Sequence, residues 1–116
     1  MRHLATGILL LPVALAAGAQ GLSEARQQSL IRIVRQDCGA CHGLRLTGGL
    51  GPALTRDALA DKPIDAMAAT IVHGRPGTPM PPWRALLDDA DARWIAEQLA
   101  RGFPELRAQA PTRSAP

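Results

Sequence analysis

Apolar residues recur along this chain at helical rather than strand spacing. Leu30, Val34, Cys38 and Cys41 follow one another at steps of four, four and three, which keeps them on one face of an α-helix. Ser23 offers an N-cap oxygen just ahead of that run, so the pattern predicts a helix from Glu24 to about Asp37. If the helix continues into the next turn, both cysteine thiols fall on its buried face. A second stripe, Ile64, Met67, Ala68, Ile71 and Val72, has Pro63 suited to its first turn and Gly74 just past its end. The third, Leu87, Ala90, Trp94, Ile95 and Leu99, predicts a helix over residues 89–101. Asp88 and Asp91 stand at its start and Gly102 closes it.

The intervening stretches cannot hold regular structure. Residues 43–56 carry Gly43, Gly48, Gly49, Gly51 and Pro52 and read as an irregular loop, followed by a short helical turn around residues 56–60. Gly74 to Pro82 contains four prolines and two glycines, which excludes both helix and strand there. With no alternating pattern and no internal repeat, the fold reads as all-α.

The ends separate from this core. Arg2 and His3, the apolar run Gly7–Ala16 and the small residues Ala17-Gly18-Ala19 read as a signal peptide over residues 1–19. That run is too short to span a bilayer and is interrupted by Pro12. Residues 20–104 form one domain, and the Pro- and Ala-rich residues 105–116 are expected to be a disordered tail. The formal charge of +3 falls once Arg2 is removed, and the arginines are scattered. A nucleic-acid binder and stable membrane insertion are therefore not expected. Beyond the signal peptide the aromatic residues are Trp83, Trp94 and Phe103 alone, a thin core for a domain of roughly a hundred residues.

Chemistry enters at Cys38-Gly39-Ala40-Cys41-His42. Two thiols three apart, with histidine directly after the second, are the attachment sequence for a c-type haem: each thiol adds to one vinyl group and the imidazole ligates the iron. One covalent haem would supply the apolar bulk the core lacks, and its propionates would offset most of the positive charge. It also places the protein in a bacterial periplasm. For the second axial position the candidates are Met80, Met67 and His73. Met67 lies in an apolar stripe where methionine usually fills core. Met80, flanked by Pro79, Pro81 and Pro82, sits in a loop stiff enough to hold a thioether toward one point. Met80 is the preferred ligand, with His73 or an open position as alternatives. Ligation by His42 and Met80 leaves no place for a substrate, so the site reads as an electron carrier and not an enzyme.

Softer candidates surround that pair. The Pro52 carbonyl, ten residues after His42, could accept from the free imidazole N–H and orient the ligand. Arg75 and Trp83 flank Met80 and carry N–H groups able to meet a haem propionate. Arg45 and Arg84 could ring an exposed haem edge, although scattered surface charge is the simpler reading for both. His73 reads as a surface or capping histidine.

The set Cys38–Gly43, Leu46–Leu54 and His73–Trp83 resembles class I cytochromes c. More narrowly, it resembles the cytochrome c55x (NirC-type) group encoded beside cytochrome cd1 nitrite reductases in denitrifying bacteria. The likeness spans about residues 23–104. It implies four or so helices around one haem c, with the first and last helices (24–37 and 89–101) crossing near Trp94. It also implies thioether links at Cys38 and Cys41, His42 as proximal ligand and Met80 as distal ligand. A monomer passing electrons to cytochrome cd1, or assisting maturation of that enzyme or of haem d1, is what the resemblance suggests. Unlike many class I cytochromes, this chain has no aromatic residue in its first helix.

Three other readings fit less well. Thiol–disulfide exchange wants a strand–helix–strand setting and leaves His42 and the Met80 loop without a role. Zinc ligation from Cys38, Cys41, His42 and His73 asks adjacent Cys41 and His42 to take two corners of one tetrahedron. A haem with an open, gas-binding iron requires Met80 to stay off the metal.

Overall fold

The computed structural model describes residues 21–104, and the expected signal peptide and tail lie outside these described residues. Helix α1 (Glu24–Ile33) runs through a π-helical segment (Val34–Cys38) into a short turn, α2 (Gly39–His42). Helices α3 (Ile64–His73) and α4 (Asp89–Arg101) follow, and no strand occurs among the described residues. The short helical turn expected around residues 56–60 is present as hydrogen-bonded turns: Leu59 N–H donates to Thr55 O at 3.1 Å and Lys62 N–H to Leu59 O at 3.0 Å.

Local chemistry starts the helices close to where the pattern predicts and stops α3 and α4 there, while α1 runs on through the π-helical segment into the motif. The Ser23 hydroxyl accepts from Arg26 N–H at 3.2 Å and opens α1. Pro63 sits at the N-cap of α3, one position ahead of the first turn expected for it, and the Gly74 N–H closes that helix on Thr70 O. A capping box opens α4: Asp91 N–H donates to Asp88 Oδ1 at 2.8 Å, and Asp88 N–H returns to Asp91 Oδ2 at 3.2 Å.

The core is aliphatic. Leu30 from α1 and Val34 from the π-helical segment meet Leu46, Leu87, and Ile95 and Leu99 from α4. Burying each such side chain stabilises the fold by roughly 1.5–3 kcal/mol. Ala92 and Ala96 are fully buried on α4, whereas Ala90, which the apolar stripe assigned inward, is exposed. The capping box turns Asp91 inward instead, so the buried stripe runs through Asp91, Ala92, Ile95, Ala96 and Leu99. Helices α3 and α4 pack along each other.

Two polar clasps join α1 to α4. Near their starts Arg26 pairs with the buried Asp91, its Nε donating to Oδ1 at 2.9 Å, and also reaches Leu86 O at 3.2 Å. The Arg26 guanidinium holds the Asp91 carboxyl below the usual carboxylate range. Past their ends Arg35 donates to Phe103 O at 3.2 Å and Pro104 O at 2.8 Å. Its guanidinium lies 5.4 Å from the Phe103 ring, and that ring meets Trp94 edge-on at 6.5 Å.

Candidate haem-attachment site

The π-helical segment decides how the motif faces the protein. Gly39 N–H donates to Val34 O, an i to i+5 bond that inserts one extra residue into the turn. The buried stripe therefore steps from Leu30 and Val34 to Gly39 and His42. Periodicity had placed both thiols on the buried face; the widened turn leaves Cys38 half-buried and Cys41 exposed. Of the motif's three functional side chains, only the His42 imidazole is buried. Gly39 is buried in that stripe, and a Cβ there would meet the Leu44 backbone at 3.6 Å, an ordinary packing distance.

His42 is gripped on two sides. Its Nδ1 lies 2.7 Å from Pro52 O, so Nδ1 is the protonated nitrogen and Nε2 is left with its lone pair. Gly51 lies against the ring itself: a Cβ there would fall 2.7 Å from Cε1, 2.8 Å from Nδ1 and 3.2 Å from Nε2. The 43–52 loop is tied to α2 by Gly48 N–H donating to His42 O at 2.8 Å and Gly51 N–H to Cys41 O at 2.9 Å. Ring contact at Gly51 was missed from sequence, although its place just before Pro52 pointed toward it.

Met80 is half-buried in a loop stiffened by its own hydrogen bonds. Arg75 N–H donates to Met80 O at 3.1 Å, and Thr78 Oγ1 donates to Arg75 O at 2.7 Å. Gly74, at φ +67°, lies so close that a Cβ would sit 2.7 Å from Met80 O. Trp83 N–H donates to Ile71 O at 3.0 Å and anchors the far side of the loop to α3. Trp83 itself packs against the core, while Arg75, Arg45 and Arg84 are exposed. Of the alternative ligands, Met67 is half-buried on α3. His73 is exposed at its end, beside a shallow hollow of about 260 Å³ that Asp65 and Arg93 also line.

These residues suit a covalently attached haem. The donor set offers two unpaired thiols, an imidazole with one nitrogen already committed, and a thioether. Burial, with Asp37 adding to it, pushes the Cys38 thiol up to about 11. That is the reverse of the depressed thiol an exchange protein uses.

The motif and the helical frame define the class, a c-type cytochrome, and residues 25–98 match the family described as cytochrome C oxidase, cbb3-type, subunit III. Cytochrome c55X of Stutzerimonas stutzeri is 56% identical over 97 residues, covering 84% of this chain and 83% of that protein. The solved structure of a c-type cytochrome NirC superposes with a TM-score of 0.68 at 54% identity, covering 69% of this chain and 94% of that one. Dihydro-heme d1 dehydrogenase of Pseudomonas aeruginosa is 40% identical over 102 residues, 87% of this chain but 19% of that longer protein. The chain belongs to the cytochrome c55X family.

Proposed function

We propose that this cytochrome carries single electrons in the periplasm, as a monomer exported by its N-terminal segment. One haem c would be linked to Cys38 and Cys41 and ligated by His42 and Met80. The observation that carries this reading is the 2.7 Å contact from His42 Nδ1 to Pro52 O, which orients the ring and leaves Nε2 for a metal. When bound, haem c supplies a one-electron Fe(III)/Fe(II) couple, whose potential His/Met ligation raises relative to two histidines. The chain's own part is positional: the Gly51–Pro52 turn holds the imidazole, and the Gly74–Trp83 loop presents Met80. Both axial places are then filled, which suits electron transfer and not catalysis at the iron.

The partner proposed from the family resemblance is cytochrome cd1 nitrite reductase, within denitrification. Likeness to dihydro-heme d1 dehydrogenase supports a second reading, an accessory role in maturing haem d1 or the reductase. Met80→Ala tests the ligand set: it should open the sixth position to carbon monoxide and lower the potential. An unchanged spectrum and potential would reject Met80. Stopped-flow mixing of the reduced protein with oxidised cytochrome cd1 tests the partner. Fast, salt-dependent oxidation supports the carrier role, and sluggish transfer favours the accessory one.

A further inference from the structure

Arginines converge on a second hollow whose lining includes neither cysteine of the motif, nor His42 or Met80. This hollow, of about 170 Å³, is lined by Arg35, Arg45, Arg56 and Thr55 over Leu54 and Phe103. The backbone assembles it deliberately. Leu54 N–H donates to Leu46 O at 2.8 Å, which sets Arg45 beside Thr55 and Arg56. Leu46 adopts φ +59°, a left-handed conformation unusual for a branched apolar residue, while its side chain is buried at 3% exposure. That turn sends Leu46 into the core and leaves the neighbouring Arg45 facing out.

Among the described residues none of the three arginines meets a carboxylate; the ion pairs there use Arg26, Lys62 and Arg93 instead. Arg35 spends its terminal nitrogens on backbone carbonyls, and its buried Nε–H has no partner among the described residues. A planar guanidinium fork matches two oxygens of one anion. The Thr55 hydroxyl can add a further hydrogen bond.

We propose that this hollow binds a carboxylate or comparable oxyanion supplied from outside the chain. The proposal stands on residues other than the haem ligands and is independent of the electron-transfer reading. It is tested by amide NMR titration of the full-length holo-protein with inorganic phosphate and, separately, with succinate, at constant ionic strength. Saturable shifts are expected at Arg45, Leu46, Thr55 and Arg56 with at least one probe. They should weaken at least tenfold in Arg45→Gln/Arg56→Gln and persist in Arg32→Gln, which alters an exposed arginine on α1 outside the hollow. An unchanged haem spectrum in each variant shows that the fold is retained. Glu105 follows Pro104 in the chain, so Glu105→Gln is the third arm. Saturation only in Glu105→Gln would overturn an external ligand, because the chain's own carboxylate would then hold the place. No saturable shift in any variant, or equal binding in the double variant, overturns the site.

Discussion

Gly51→Ala is the sharpest test of how this protein holds its imidazole. Gly51 has no positive φ, so alanine is permitted by the backbone and the effect is steric alone. The added carbon would fall 2.7 Å from Cε1 and 2.8 Å from Nδ1 of His42. Carbon atoms rest about 3.5–4.0 Å apart, so ring and loop must separate by roughly 1 Å. His42 is 9% exposed and fixed at the end of a helical turn, so the loop is the part that yields. Pro52 is the next residue and moves with it, which lengthens the 2.7 Å contact from Nδ1 to Pro52 O. Overpacking costs about 1–3 kcal/mol and the lost hydrogen bond about 0.5–1.5 kcal/mol. At about 4–8 °C per kcal/mol for a domain this size, the thermal midpoint of the holo-protein should fall by at least ~6 °C. The imidazole N–H resonance should shift as its acceptor withdraws. Gly21→Ala, which meets nothing within 4 Å, is the control and should change neither. If Gly51→Ala keeps both its melting point and its imidazole resonance, the ring is not held by this turn and the reasoning fails.

Other perturbations address the frame. Leu30 is fully buried, so Leu30→Ala should cost about 2–5 kcal/mol in denaturant unfolding; a loss below about 1 kcal/mol would show that the core closes around the gap. Asp91→Asn should destabilise by about 1–3 kcal/mol, because a buried group loses its charge-assisted bonds to Arg26. The sign with pH follows from the depressed folded pKa of Asp91: its contribution is present above the unfolded value near ~4 and is lost as pH falls through the folded one. Melting curves from neutral to acid pH should therefore be flatter for Asp91→Asn than for wild type, and identical acid limbs would remove Asp91 from the account. Replacing Cys38 and Cys41 together by alanine should abolish covalent haem and folding with it, as followed by haem staining and circular dichroism; a well-folded apo-protein contradicts this.

The three long helices were legible because their apolar residues keep the 3.6-residue period and their ends carry chemistry of their own. Ser23, the Asp88/Asp91 pair, Gly74 and Gly102 each act at the position their residue type suggests. The motif itself was equally plain, since a histidine after two spaced thiols has one ordinary use. Its orientation was not. Steps of four, four and three are a valid helical stripe, and no residue in Val34–Cys38 marks the turn that widens by one. Only the folded chain reveals it: the widened turn brings Gly39 and His42 to the buried side in place of Cys41. Asp91 escaped for a similar reason. An acid at the third position of a helix reads as a solvated cap, and its burial depends on Arg26, which is 65 residues away in the chain.

The two residues proposed as axial ligands are held by different means, and this shapes how each would respond to change. His42 belongs to the helical run from α1, and its ring is pressed by Gly51 and bonded to Pro52, so its position is fixed by packing from both sides. Met80 has no helix beneath it. Its place depends on the Arg75–Met80 backbone bond, the Thr78 hydroxyl and the close approach of Gly74, all within one loop. Substitutions at Gly74 or Thr78 should therefore loosen the thioether while leaving the imidazole untouched. A thioether binds iron more weakly than an imidazole, so under the proposed His42/Met80 ligation the loop carrying Met80 is where the properties of the iron would be tuned at least cost to the fold.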